Sequence, residues 1–428
     1  MITLFGRLWA SACSSNLGDG ITLTALPLIA LAAGASPGEV ALVTTAATIA
    51  WPLCGLHAGW IVDRLSPQML LTLANGARCL ALLGLTAAIA LDAFVTPTVM
   101  ITALVYGVAE TLVDTSLIAG IPRTVTPGQL TGANAKMEAT INVANELAGP
   151  PLAGFLLGAA GLTAATVGSG LYALAAVAGL SLLLAMRRQA TPAVARGSGA
   201  SFGGAEEQPP PRVRDGLRYL WADLLQRDLT LLTAAMSFIW GAWTAIFALY
   251  AVTPGPLGLS TVAYGWVLAA MAIGGLVAAS LVERLQTRLS TTFLLFIDSV
   301  GTILLVLPAA LGAPLPVIVA GMILAGAGST IWRVVVAVIR QRTTPLPLLG
   351  RVYSASRVIS WGALPLGSAL AALAVEALDI RSAFLIASAA AVAICLWFAV
   401  RYRGLSARVD DLEGQTRSEY ENFIQPNG

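Results

Sequence analysis

Ala58-Gly59-Trp60-Ile61-Val62-Asp63-Arg64-Leu65 and, 220 residues further on, Ala278-Ala279-Ser280-Leu281-Val282-Glu283-Arg284-Leu285 are two copies of one phrase. In each, a small residue stands four positions before an acid, an arginine follows the acid and a leucine follows the arginine, where apolar sequence gives way to a basic loop. The same phrase at the same point of two halves marks an internal duplication. A second echo supports it: Thr126-Pro127 followed by Gly132 returns as Thr344-Pro345 followed by Gly350, a shift of 218.

The sequence around these phrases is membrane-like. Of the 428 residues, 57% are apolar and 11% charged, with a mean hydropathy of +0.81, a composition that would leave a water-soluble domain with a large exposed apolar surface. A spanning helix needs about 20 mostly apolar residues. Twelve such runs are present, at roughly 5–33, 39–62, 68–91, 96–119, 134–158, 163–186, 229–252, 261–283, 290–312, 315–339, 352–376 and 382–402. They are unbroken rather than alternating, so they predict a helical bundle and not a barrel. The fold expected is all-α and integral to the membrane, with twelve transmembrane helices in two pseudo-symmetric six-helix bundles. The first run is too long, and lacks a convincing cleavage site, for a removable signal; it is read as the first span.

Charge sets the orientation. Arg381 is the one basic residue in a segment placed outside, whereas Arg64, Arg123, Arg187, Arg188, Arg284, Arg288, Arg340, Arg342, Arg351, Arg401 and Arg403 flank the other side. The positive-inside bias then puts both termini in the cytoplasm. The net charge of +2 comes from this loop bias, and no basic run with interleaved aromatics suggests a nucleic-acid partner. Arginine outnumbers lysine 23 to 1, which with the alanine-rich spans suggests a GC-rich bacterial genome and hence a bacterial plasma membrane. Cys13, Cys54, Cys79 and Cys395 fall within spans without paired short spacing and read as packing residues, with no metal site.

Four segments follow: an N-terminal bundle over 1–188, a linker over 189–228, a C-terminal bundle over 229–403 and a cytoplasmic tail over 404–428. Within the linker, 189–212 is rich in small residues, glycine and proline, and is expected to be disordered. Beyond it Leu217, Leu220, Trp221, Leu224 and Leu225 recur at helical spacing among arginines, predicting an amphipathic helix at about 214–226 in the headgroup region, or else an extension of the seventh span. Two like halves joined by a linker suit a transporter that exposes a midplane site alternately to each side.

Carried by Gly59-x-x-x-Asp63-Arg64, the chain resembles the major facilitator superfamily and, within it, the bacterial drug-exporter branch that includes macrolide and mycobacterial multidrug efflux proteins. The resemblance covers essentially all twelve spans. It implies that Gly59, Asp63 and Arg64, with Glu283, Arg284 and Arg357, form a conformational latch between the halves on the cytoplasmic side. The usual glycine and basic tail are replaced by Ser66, Gln68 and Met69, while Arg288 keeps a basic residue in the second copy. Gly149-Pro150-Pro151-Leu152-Ala153-Gly154 resembles the Gly-Pro element of proton-coupled exporters; Gly149, Pro150 and Gly154 would form an antiporter-like bend. Gly350-Arg351-Val352 and Trp361 to Gly367 resemble a loop and the eleventh span of the same branch. The arginine that many of these exporters carry in the fourth span is absent.

Charges inside the membrane are expensive and so are functional candidates. Asp19 lies mid-span between Gly18 and Gly20 and is read as a proton or substrate-cation site. Glu110 and Asp114 share a face of the fourth span. Their mutual repulsion in a low dielectric favours holding a proton on at least one of them. Glu138, Asn142, Asn145, Glu146 and Gly149 form a polar stripe in the fifth span that should face a cavity, with Asn142 and Glu146 as candidates and Glu138 placed to pair with Lys136 or an arginine. Arg333 is the expected countercharge. Arg78 and Asp298, 220 apart in matching spans, read as structural pairing residues outside the cavity. His57 reads as a packing residue rather than a proton sensor. Trp51, Trp240, Trp243, Phe247, Tyr250, Trp332 and Trp361 offer an aromatic pocket, whereas Trp266 suits the interfacial belt.

The function expected is proton-coupled antiport exporting amphipathic small molecules. Four acids against one deep arginine favour a lipophilic cation or a neutral substrate, with the proton gradient as energy source, no cofactor and a monomeric chain among lipids. A dedicated exporter of a siderophore, lipid or other endogenous metabolite is the alternative, with a non-transporting receptor behind both. No phosphate-binding loop suggests ATP, and no long outer loop carries the nucleophiles or metal ligands of an enzyme.

Overall fold

The computed structural model describes residues 3–54, 65–126, 129–159, 163–190 and 213–424, and every extended element among them is a helix. In chain order these are α1 (Leu4–Ala32), α2 (Pro37–Thr48), α3 (Pro67–Ala90), α4 (Val95–Gly120), α5 (Leu130–Thr140), a π-helical segment (Ile141–Ala148), α6 (Gly149–Ala159) and α7 (Thr163–Ala190). After the linker come α8 (Val213–Ala222), α9 (Leu224–Ala251), α10 (Thr261–Gln286), α11 (Thr291–Ala310), α12 (Leu315–Thr343), α13 (Leu346–Ala377) and α14 (Ile380–Ile424). The amphipathic linker helix is thus separate from the span after it and shorter than the pattern suggested. The last span runs on as helix well into the expected tail. Gly59, Asp63, Arg64 and His57 lie outside the described residues, as does the small-residue stretch of the linker.

Side-chain caps define several helix starts. Thr3 accepts from the Gly6 N–H at 3.0 Å, Ser36 and Glu39 cap α2 reciprocally behind Pro37, and Asp223 accepts from Leu225 and Gln226 at 2.9 and 3.0 Å. Each satisfies donors that the first helical turn leaves open. Asp379 does the same for α14, accepting the Ser382 N–H at 2.8 Å and its hydroxyl at 2.9 Å. Those Ser382 bonds hold the exposed Asp379 carboxyl below the usual carboxylate range. A depressed carboxyl stabilises the fold above its ordinary value, about 4, and the contribution disappears as pH falls through the depressed one. Asp379→Ala is therefore expected to speed hydrogen exchange in the first turn of α14 at neutral pH, an effect that shrinks in acid.

Among the described residues ten helices, α1, α3, α4, α7 and α9 to α14, are long and apolar enough to cross a membrane. Of the other two expected spans, 39–62 is described only to residue 54, and 134–158 is divided among α5, the π segment and α6. The surface is inverted relative to a soluble protein: Phe94 is 82% exposed, Leu80 71% and Val400 81%, while Ser15, Asn75 and Arg78 are buried. Lipid satisfies such leucines and valines, and polar side chains turn inward to one another.

The chain forms two compact units. The first comprises Met1–Pro210 with Thr244–Ala269 and Ser368–Ala377; the second comprises Pro211–Trp243, Ala270–Gly367 and Leu378–Gly428. In the first, α1 and α3 pack on α7, and α2 and α3 on α4, around Leu8, Leu71, Ala109, Val113 and Leu182. Parts of later helices join it: the Gly38 N–H donates to Glu376 at 2.8 Å, Thr45 and Ser368 share a 2.7 Å hydrogen bond, and the Thr261 hydroxyl donates to the Gly154 carbonyl at 3.0 Å. In the second, α11 packs on α12 and α14 around Leu229, Leu294, Trp332, Val335 and Phe398.

Candidate functional site

Along α1, Ser15, Asp19 and Thr22 recur at spacings of four and three and so lie on one face. All three are buried. Facing them, α3 offers Asn75 and Arg78, also one turn apart. Arg78 closes an ion pair with Asp19 at 2.9 Å, with 1% and 5% of the two side chains exposed. The same Arg78 nitrogen donates to Ser15 Oγ at 3.1 Å, and Ser15 donates to Asn75 Oδ1 at 3.1 Å. From α7 the Tyr172 hydroxyl donates to Asp19 Oδ1 at 2.8 Å. The guanidinium lies between two rings, 4.9 Å from the centre of Tyr106 and 5.2 Å from that of Tyr172. Its Nε and second terminal nitrogen have no hydrogen-bond partner among the described residues.

The fourth-span acids sit beside this cluster. Glu110 accepts from the Trp51 indole N–H at 3.0 Å, with Trp51 in the helical turns beyond α2. Asp19 and Arg78 are both within electrostatic reach of Glu110, as is Asp114, one turn along α4. Asp114 acts on Asp19 in turn. Asp19, Arg78, Glu110 and Asp114 therefore form one coupled set on α1, α3 and α4, and a change of charge on any member is felt by the rest.

The fifth-span residues approach from another side. Gly20 follows Asp19, and there the backbones of α1 and the fifth span touch: a Cβ on Gly149 would lie 2.5 Å from the Gly20 Cα, and one on Gly20 would run into the Asn145 carbonyl. Asn142 and Glu146 belong to the π-helical segment just before Gly149, Asn142 half-buried and Glu146 exposed. π-helical turns inside α-helices are rare and recur at functional sites. Lys136 lies over the Trp9 ring at 5.5 Å.

Arg333, the expected countercharge, is an exposed residue of α12. It belongs to the second unit, donates to Thr330 of its own helix at 3.3 Å and lies within electrostatic reach of the buried Asp298. Arg78 is what neutralises Asp19. Arg78, expected to serve structural pairing, is among the most buried side chains of the described residues. Arg357 stacks over Trp361 at 5.2 Å, and Glu283 and Arg284 are exposed at the end of α10. Trp240 and Trp243 pair at 6.0 Å, the Trp332 indole donates to Thr233 at 3.0 Å, and Trp266 is 64% exposed. Among the described residues no three His, Cys, Asp or Glu side chains gather as a metal site needs.

Comparison with known proteins follows the same line. The family model described as Major Facilitator Superfamily matches residues 8–363. The chain is 27% identical over 379 residues, 87% of its own length and 88% of the relative's, to a protein of Sinorhizobium fredii (strain NBRC 101917 / NGR234) described as an uncharacterized MFS-type transporter, y4rN. It is 24% identical over 413 residues, covering 90% of itself and 91% of the relative, to the multidrug efflux pump Tap of Mycolicibacterium fortuitum. Among solved structures, a bacterial homologue of the iron transporter ferroportin in an inward-facing state superposes with a TM-score of 0.70 at 16% identity, over 93% of this chain and 98% of that one. The nucleoside transporter NupG gives 0.68 at 15% identity, over 93% and 99%. At such identities the superpositions speak for the fold.

Proposed function

The chain belongs to the Major Facilitator Superfamily and is a multi-pass membrane transporter of a small molecule; from that premise we propose that it is a proton-coupled antiporter that exports lipophilic cations or neutral amphipathic compounds from a bacterial cell, with both termini in the cytoplasm. The observation that carries the coupling is the buried Asp19 and Arg78 pair. A buried ion pair persists because each charge compensates the other, and removing one partner leaves the second stranded in a low dielectric. A proton arriving on Asp19 strands Arg78. Among the described residues the guanidinium has donors without a hydrogen-bond partner, and Glu110, itself coupled to Asp114, is the next carboxylate within its reach. Protonation of Asp19 then cannot be structurally silent. It moves Arg78 toward α4, and α1 and α3 are held differently before and after.

Export of a cation fits the remaining charges. With Asp19 paired to Arg78, Glu110 and Asp114 still leave the first unit's interior acidic, and aromatic Trp51 and Tyr106 beside Glu110 give a lipophilic cation both charge and π surface. The relative named as a multidrug efflux pump supports the direction of transport. The latch role of Asp63, Arg64, Glu283, Arg284 and Arg357 belongs to the same reading.

The test is efflux from proteoliposomes under an imposed pH gradient, comparing a panel of lipophilic dyes in wild type and in Asp19→Asn, Glu110→Gln and Asp114→Asn. Wild-type efflux should rise with the gradient, and Asp19→Asn should lose that dependence. Efflux indifferent to the gradient sinks the coupling, and three variants pumping like wild type would show the site to be elsewhere. A chain that moves none of the dyes would favour export of a single endogenous metabolite.

A further inference from the structure

The short helix α8 has two working faces. On one, Leu220 is fully buried against Val352 and Ala355, with Leu348 and Ile359 around them. Tyr219 donates its hydroxyl to the Thr343 carbonyl at 2.6 Å. Gly216 makes the close approach possible, since a Cβ there would lie 2.5 Å from the Arg351 Cβ. Just beyond the helix, the Gln226 amide donates to Thr343 Oγ1 at 2.5 Å, and Arg340 donates back to Gln226 Oε1 at 3.1 Å. Burial, and after it the Asp223 carboxylate, pushes the Tyr219 phenol above its usual range, so it remains a donor at neutral pH. All these bonds fall on the junction of α12 and α13, the second copy of the repeated Thr-Pro loop.

The other face points away from protein. Leu217, Trp221 and Leu224, spaced four and three apart, are 38%, 44% and 45% exposed, and Arg218 is exposed beside them. Only Asp223 separates α8 from α9, a helix long and apolar enough to cross a membrane, so this apolar stripe lies at the very end of a candidate span. A tryptophan between leucines, next to arginine, matches the boundary between headgroups and acyl chains. Arg227 and the half-exposed Arg401 add positive charge at the same end, both 3.8 Å from Asp228.

We propose that α8 is a lipid-bound strap: Leu217, Trp221 and Leu224 insert at the headgroup boundary of an anionic leaflet, Arg218 takes a lipid phosphate, and Gly216, Tyr219 and Leu220 hold the α12–α13 junction to that surface. The leaflet's charge thereby reaches the start of α13 without any contact between lipid and α13 itself. The effect is electrostatic in part and should weaken with salt.

Hydrogen exchange of the 343–352 segment, measured on the full chain in nanodiscs of phosphatidylcholine with and without phosphatidylglycerol, tests the strap and requires no transport. In wild type the segment should exchange several-fold more slowly when phosphatidylglycerol is present. Arg218→Gln combined with Trp221→Ser should abolish that lipid response, and Tyr219→Phe should quicken exchange in both lipids. Unchanged exchange in α11 shows that each variant is folded. The proposal is overturned if wild-type exchange is the same in both lipids, if the double variant keeps the response, or if Tyr219→Phe leaves the segment as protected as wild type.

Discussion

Arg78→Ala is expected to destabilise the first unit by roughly 3–5 kcal/mol, the range for stripping one partner from a buried ion pair. The loss is large because Asp19, with 5% of its side chain exposed, would be left without its countercharge and would have to take up a proton to stay buried, while the cavity left between the Tyr106 and Tyr172 rings removes packing as well. Asp19→Asn alone should cost less in stability, because an arginine next to Glu110 has another carboxylate within reach. The double variant Asp19→Asn with Arg78→Ala should lose less than the sum of the two single losses, leaving a coupling energy well outside the few tenths expected of independent sites. Chemical denaturation of the four proteins in one detergent measures the cycle. Additive losses would mean that the two side chains are neighbours without being partners.

Gly149→Val is expected to be the most damaging change in the fifth span, and Gly20→Val its counterpart in α1. Both glycines sit at a backbone-to-backbone crossing, and the atoms a side chain would strike are the Gly20 Cα, the Asn145 carbonyl and the Gly149 Cα rather than the ends of flexible chains. Overpacking that side chains can absorb costs roughly 1–3 kcal/mol. Here the helices must separate, so the cost should reach or exceed the top of that range. Separation also moves α1 next to the point where Asp19 meets Arg78, so transport should fail even in lipids that rescue folding. Gly132→Val, where a Cβ would meet open space, is the control and should be close to neutral. Thermal stability and dye efflux for the three variants distinguish these outcomes; a Gly149→Val protein with wild-type stability and efflux would contradict the crossing.

Much of the architecture was legible because its causes are local. Helical runs of the right length, breaks at capping residues and the amphipathic pattern of Leu217, Leu220 and Trp221 need no tertiary information. The buried acids were legible as well, since a carboxyl in an apolar run is conspicuous. Their partner was not. Arg78 is a lone arginine in the third span, and its weight depended on whether α3 faces α1, which periodicity cannot say. A weak signal existed: Asn75 and Arg78 share a face one turn apart, as Ser15, Asp19 and Thr22 do on α1, and polar stripes in lipid must find each other. The π-helical segment was also hidden, because a polar stripe at spacings of three and four looks the same whether the backbone bonds run to the fourth or the fifth residue. Arg333 is conspicuous as a basic residue in an apolar run, but its nearness to Asp298 of α11 depends on helix packing that the run itself does not reveal.

The proposed sharing of the Asp19 and Arg78 pair by proton and substrate movement is open to direct test. Its most direct measurement loads proteoliposomes with a pH-sensitive dye, imposes a gradient of a lipophilic cation such as ethidium with no initial pH difference, and follows internal pH. Cation moving down its gradient should drive protons the other way in wild type, with no proton movement above leak in Asp19→Asn. Ethidium flux with no accompanying pH change in wild type, or the same pH change in Asp19→Asn, would contradict it.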